Sequence, residues 1–315
     1  MHKQTVVITG AFSYTGKYAT KQLLDRGYNI HTLTNHPPHG NPCGGRVQVF
    51  PYSFDRPKQL AEAFRGASIL INTYWVRFPH GKTTFESAVQ NTRILIHAAR
   101  DAGVRRLVHV SIAHPSLESP LGYYRGKAQL EKLVIESGLS YLILRPTVIY
   151  GLEDILINNI AWFIRHFPVF GIPGDGQYRV RPIFVEDMAR LLVAAAEIEV
   201  RGQLNAVGPE TFTFEELGRL IAEQVERSVR IVKVPAFLAY LSTCLTGLMM
   251  GDVVLTWDEY EGLIGNLLAP QGQATGQTRL TDWLAENRAK IGCNYASEVA
   301  RHYARAAREP SRTCS

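Results

Sequence analysis

The chain begins with a short apolar, β-branched run, Thr5-Val6-Val7-Ile8-Thr9, the pattern of a strand buried on both faces of a parallel sheet. Similar runs then alternate with helical periodicity as far as residue 150. Residues 28–34 and 47–51 read as the second and third strands, 68–73 as the fourth, 106–111 as the fifth and 140–145 as the sixth. The intervening segments 57–65, 85–102 and 121–137 carry apolar residues at helical spacing, each followed by a glycine (Gly66, Gly103, Gly138) that suits a helix C-terminus. Strand–helix alternation with short connections predicts an α/β fold: a Rossmann-type, doubly wound parallel sheet with helices on both faces.

Past Gly151 the alternation loosens. Residues 152–182 hold Trp162, Phe163, Phe167 and Phe170 among prolines and a Gly-Asp-Gly turn. A strand at 183–185 and a helix opened by Glu186 and Asp187 follow. Thr213 and Glu216 stand at capping-box spacing before a helix over 214–227. The expected division is a dinucleotide-binding domain over 1–151, completed by 181–206, with 152–180 and 207–315 forming a smaller, mostly helical, discontinuous substrate-binding cap. Within it, 236–255 is rich in Leu and Met and reads as a helix over the substrate pocket. Trp162 and Phe170 would contribute to the substrate wall or to core packing.

The first strand runs directly into Gly10-Ala11-Phe12-Ser13-Tyr14-Thr15-Gly16, and a helical stretch follows as far as Arg26. Strand, glycine turn and helix in that order is the context of a phosphate-binding turn, whose helix N-terminus attracts a pyrophosphate. Gly10 allows the tight turn and Gly16 the close approach of helix to strand. Where a third glycine is usual this chain has Ser13, so either the turn is wider or the hydroxyl joins the binding. Phe12, Ser13, Tyr14 and Thr15 are the further candidates to contact a cofactor here.

Twelve residues after Ser111 come Tyr123 and Lys127, four apart on a predicted helix and so on one face. An ammonium beside a phenol favours the phenolate, and a phenol tuned toward neutrality can move a proton while a hydride is transferred at a carbonyl carbon. In open α/β sheets ligands lie beyond the carboxyl ends of the strands; Gly10, Asn72, Ser111 and Arg145 all fall there.

In this order the motifs resemble the extended short-chain dehydrogenase/reductase superfamily. They are closest to its atypical branch, which groups nucleotide-sugar epimerase-like proteins with the nucleotide-binding accessory subunit of respiratory complex I. The resemblance rests on Thr9-Gly10-x5-Gly16, Asp55, Asn91, Ala-Gly-Val-Arg-Arg at 102–106, Ser111, Tyr123-x-x-x-Lys127, Arg145-Pro146-Thr147 and Val185-Glu-Asp187. It covers the chain to about residue 210. It implies Tyr123 as the proton donor or acceptor and Lys127 as the residue that holds the nicotinamide ribose. Ser111, with Ser116 as the spare, would hold a substrate carbonyl, although the interval to Tyr123 is shorter than the family's. It further implies Asp55 at the adenine edge, a role that competes with a helix N-cap, and Asn91 bracing the site. Arg145 and Asp187 read as architecture.

Composition sharpens the picture by exclusion. The 315 residues are 46% hydrophobic and 20% charged, with four scattered cysteines and no Cys-x-x-Cys, which predicts a globular chain with neither a zinc site nor a disulfide framework. No secretory signal and no run long enough to span a membrane stands out, so the cytoplasm is the expected location. The net charge of +6 gathers near the C-terminus without the aromatic interleaving that nucleic acid requires. No metal motif, nucleophile elbow or Walker lysine is present. Between Ile30 and Phe50 there is no Asp or Glu to bind a ribose 2′-hydroxyl; Asn35 and His36 stand in that place, near Lys17, His39 and Arg46. The cofactor is therefore NADP or NAD, with NADP favoured. Two functions are carried forward. One is an NAD(P)-dependent oxidoreductase or epimerase acting on a small molecule through Tyr123. The other is a non-catalytic NAD(P)-binding structural or redox-sensing subunit, for which a peripheral membrane or complex I-like partner is possible. Oligomeric state is not legible.

Overall fold

The computed structural model describes residues 4–35, 43, 45–81 and 83–303. Along the chain run β1 (Thr5–Thr9), α1 (Tyr14–Asp25), β2 (Asn29–Leu33), β3 (Val47–Phe50), α2 (Pro57–Glu62), β4 (Ala67–Asn72), α3 (Phe85–Asp101), β5 (Arg106–Val110), α4 (Gly122–Ile135) and β6 (Ser140–Pro146). There follow β7 (Ile149–Tyr150), α5 (Leu156–His166), β8 (Val169–Pro173), β9 (Arg179–Val180), β10 (Ile183–Phe184), α6 (Val185–Glu197), β11 (Gly202–Ala206), β12 (Phe212–Thr213) and α7 (Phe214–Gln224). The chain continues with β13 (Arg230–Val234), α8 (Ala236–Met250), α9 (Trp257–Ile264), α10 (Leu280–Asn287) and α11 (Glu298–Tyr303).

Two compact units result, Met1–Pro146 with Val185–Ala206, and Thr147–Phe184 with Val207–Ser315. The first is a seven-stranded parallel sheet in the order β11-β6-β5-β4-β1-β2-β3, a doubly wound Rossmann-type sheet whose strand order reverses between β1 and β4. Alternation along the strands divides the side chains between two faces. Val7, Leu70, Leu107 and Ile143 turn to one face, where Leu60 of α2, Leu95 of α3 and Val134 of α4 cover them. Val6, Ile8, Ile71 and Val108 turn to the other, the side on which α6 packs against the strands and α1 against α6. Arg106, at the start of β5, is buried and donates to the carbonyls of Ala195 (2.9 Å) and Val200 (2.8 Å) and to Ser140 Oγ (2.8 Å), which fixes the end of α6 against the sheet.

The second unit is mostly helical, as expected, and adds three small strand pairs among the described residues. Residues 149–150 and 183–184 pair in parallel as β7 and β10, which places both segments here and not with the dinucleotide-binding domain. Two more small pairs, β9 with β12 and β8 with β13, complete its sheets. The two-residue strands β7, β9, β10 and β12 carry no readable periodicity; Tyr150, Ile157, Ile172, Phe214, Leu217 and Trp283 converge on one apolar core in this unit. Phe170 packs against that core, and Trp162 stacks on His166 at 4.4 Å and meets Tyr295 edge-on, so both serve packing within the unit. The capping box of Thr213 and Glu216 forms as expected.

Asp154 lies buried at the start of α5. One carboxylate oxygen accepts from the amides of Ile157 (2.7 Å) and Asn158 (3.4 Å), while the other has no hydrogen-bond partner. Burial pushes this carboxyl up to about 7. The folded state therefore holds a proton that the unfolded chain has released between about pH 4 and pH 7. That contribution to stability is complete below pH 4 and is lost as pH rises through 7. Asp154→Asn keeps the accepting oxygen, and denaturant unfolding between pH 4.5 and 8 is expected to show the variant more stable at neutral pH by roughly 2–4 kcal/mol.

Candidate dinucleotide site

The site begins where β1 ends. Gly10 adopts φ +69, a left-handed conformation that side chains disfavour, and its amide donates to Leu33 O of β2 at 3.1 Å. Ser13 closes the turn by donating from its amide (2.9 Å) and from its hydroxyl (2.7 Å) to Gly10 O. The proton of the Ser13 hydroxyl is thus used within the turn. Gly16 lies so close above that a Cβ there would stand 2.0 Å from Gly10 O. Ser13 is the N-cap of α1 but makes no side-chain bond to the first-turn amides, and that turn carries no acidic residue. A bare turn, an uncapped helix start and no opposing charge fit a pyrophosphate.

Behind the turn a polar row crosses the carboxyl ends of three strands on one face. Thr9 Oγ1 donates to Asn72 Oδ1 (3.2 Å) and accepts from the amides of Thr73 (2.7 Å) and Tyr74 (3.0 Å). Asn72 Oδ1 also accepts from the Tyr74 amide (3.1 Å), which identifies it as the carbonyl oxygen, so Asn72 Nδ2 donates to His109 Nδ1 at 3.1 Å. His109 therefore carries its proton on Nε2. Burial, reinforced by the charge of Lys127, holds it well below the usual histidine range and so neutral. Asn72 is fully buried and its amide is occupied by these neighbours, which ties down the backbone at the end of β4.

Lys127 is buried, with Nζ donating to Val110 O at 3.0 Å and lying 4.9 Å from the Trp75 ring centroid. Burial pulls the amine down to about 7, partly opposed by the charge of Glu131. Trp75 is stacked on Phe85 (5.6 Å, 4°), meets the Tyr123 ring edge-on (5.8 Å, 79°), and fills the space where a Cβ on Gly126 would fall, 2.7 Å away. Tyr123 is half-buried in this aromatic group. Ser111 is buried just past the end of β5, and its hydroxyl has no hydrogen-bond partner. Ser116 is tied into a local turn with Glu118.

The remaining candidates are dispersed. Asn35 accepts from the Tyr52 amide at 2.9 Å, while Tyr52, Phe54 and Tyr74 form a second aromatic cluster with ring centroids 5.1–5.4 Å apart. Asn91 donates to the Tyr74 hydroxyl (3.0 Å), a bracing contact. Phe12, Tyr14 and Thr15 are half-buried on the turn and first helical residues. Asp55 is exposed beside Arg56, and the N-cap of α2 is Arg56, so the capping role does not fall to Asp55. His36 and His39 lie outside the described residues. Arg145 makes a two-pronged bond to the buried Glu131 (2.9 and 2.5 Å), and Asp187 pairs with Arg190. Trp75 and Phe85 are the residues that sequence reasoning missed. Their only signals were an aromatic just past a strand end and another at the start of a helix.

Residues 10–154 match the family model described as NAD(P)H-binding. The matched segment lies almost wholly within the first unit, and it is consistent with the resemblance to the atypical extended short-chain dehydrogenase/reductase branch. Among curated relatives, mitochondrial NADH dehydrogenase (ubiquinone) 1 alpha subcomplex subunit 9 of Arabidopsis thaliana is 26% identical over 72% of this chain and 60% of its own length. The photosystem II assembly factor Ycf39 of Cyanidium caldarium is 22% identical over 77% of this chain and 78% of its own. The chain thus spans less than two thirds of the plant subunit. A nucleoside-diphosphate-sugar epimerase from Staphylococcus aureus superposes with TM-score 0.72 at 15% identity, covering 90% of this chain and all of that one, and shares the fold.

Proposed function

We propose that the chain holds NAD(P)(H) at the β1–β4 switch point as a tightly bound cofactor with a structural or redox-sensing role in an assembly. The observation that carries this reading is the covering of Lys127. Its ammonium is turned to Val110 O under the Trp75 indole, and the hydroxyl of Ser111 is buried, so two of the three groups that would serve turnover are enclosed in the protein. The two relatives, a respiratory-complex subunit and a photosystem assembly factor by name, agree with it. The lack of an acidic residue near the end of β2 favours NADP, and titration is expected to give tighter binding of NADPH than of NADH.

A second reading has its own support. The Lys127 amine sits at about 7, one helical turn from the Tyr123 phenol, which is the tuning that proton transfer at neutral pH requires. On this reading the protein is an oxidoreductase or epimerase: the bound nicotinamide supplies the hydride chemistry at C4, and Tyr123 moves the proton of a small carbonyl substrate. Tyr123→Phe separates the two. Retained cofactor with no turnover in either protein supports the first. A wild-type rate lost by about 10²-fold or more in the variant, with cofactor affinity kept, establishes the second.

A further inference from the structure

Helix α8 is turned inside out. Among its described residues Ala239 and Gly247 are buried, Thr243 and Thr246 are half-buried, and Tyr240 packs on Trp257 and Tyr260. Outward stand Phe237 (69% exposed), Leu238 (42%), Leu241 (50%), Leu245 (55%) and Leu248 (82%). This surface belongs to the second unit and owes nothing to the cofactor reading above.

The four leucines are spaced three, four and three residues apart, the a/d seam of a two-stranded coiled coil. From Val234 to Gly251 the chain has no Asp, Glu, Lys, Arg or His, so no like charges would meet when the seam faces its own copy. A bilayer is a poorer match. A helix lying in a membrane surface needs Lys or Arg on its polar face, and α8 offers none; nor is any helix among the described residues long and apolar enough to cross a membrane. The area is adequate. Taking ~200 Å² for a large apolar side chain, the exposed fractions of these five residues and the flanking Trp257 (49%) leave roughly 600–700 Å² per copy. A pair then buries about 1,300 Å², inside the ~1,200–2,000 Å² of stable interfaces.

We propose that α8 is a self-association seam, packing antiparallel against α8 of a second copy about a two-fold axis near the middle of the leucine stripe. Closed two-fold pairing sets the same patch on both partners. It also brings the exposed free thiol of Cys244, beside the stripe's midpoint, next to Cys244 of the other copy.

Sedimentation velocity of the full chain from 1 to 100 µM tests this, with Leu241→Glu and Leu245→Glu as seam variants. Val200→Glu, at an exposed position in the first unit, is the control. A short bismaleimide is applied in a Cys43→Ser background, and the cross-linked cysteines are mapped by mass spectrometry. Far-UV circular dichroism checks that each variant is folded. The expected result is a dimer that the control keeps and that each glutamate weakens by about 30-fold or more, with a Cys244–Cys244 cross-link. A monomer at every concentration overturns the proposal, as does a dimer indifferent to both glutamates or a cross-link that avoids Cys244. Flotation of a monomeric wild type with anionic vesicles, lost in the same variants, also overturns it by assigning the face to lipid.

Discussion

Gly16→Ala is expected to lower dinucleotide affinity by about 100-fold or more and to destabilise the first unit by roughly 1–3 kcal/mol. The added Cβ would fall 2.0 Å from Gly10 O and 2.9 Å from both Gly10 C and Ser13 Oγ. The nearest of these is backbone in the turn itself, so relief requires α1 to move away from the turn, and the amides aimed at the pyrophosphate move with it. Gly218→Ala, on α7, is the matched control: its Cβ comes no nearer than 3.4 Å to another group, the Phe170 ring edge. It should keep full affinity and gain slightly from helix propensity. Isothermal titration with NADPH and NADH, paired with denaturant unfolding, measures both effects. Affinity within about threefold of wild type in Gly16→Ala would mean that the glycine turn does not hold the pyrophosphate.

Lys127→Met is expected to do the opposite to stability while still harming the cofactor site. Burial depresses the folded-state value of the amine from 10.5 to about 7, so the folded protein binds fewer protons than the unfolded chain between those limits. Stability should therefore rise with pH from about 7 toward 10.5 in the wild type, and the part contributed by Lys127 is lost as pH falls through 7. Below pH 7 the buried charge costs about 5 kcal/mol, its bond to Val110 O and contact with Trp75 included. Methionine fills similar space without the charge, and a net gain of about 1–3 kcal/mol at pH 6.5 should accompany loss of the slope between pH 7 and 9. Glu131 keeps its two bonds to Arg145 in the variant and is not left unpaired. Unfolding curves across that pH range check it, and a destabilised variant would show the Lys127 contacts to outweigh the cost of burying its charge.

The sheet was legible because its strands are buried on both faces: runs such as Thr5–Thr9 and Ala67–Asn72 leave no other placement for so many apolar residues in so short a span. The glycine turn was legible for the same local reason, since only glycine fits at Gly10 and Gly16. What could not be read were distances between residues far apart in sequence. The enclosure of Lys127 by Trp75 joins positions 52 residues apart, and neither residue alone announces it. The proton position on His109 depends on Thr9, Asn72 and the Tyr74 amide together. The bond from the Ser13 hydroxyl to Gly10 O depends on the turn being tight, which the sequence does not state. In the second unit, strands of two residues carry no period, and α8 could be recognised as a helix but not by which face it turns outward.

Native mass spectrometry of the purified chain after desalting tests most directly whether a dinucleotide is held and held tightly. One NADP or NAD per chain, surviving buffer exchange and released only on unfolding, is the result expected of a cofactor bound at the β1–β4 switch point beside a buried Lys127. A chain that emerges empty and shows no saturable binding of NADPH or NADH on titration would contradict it.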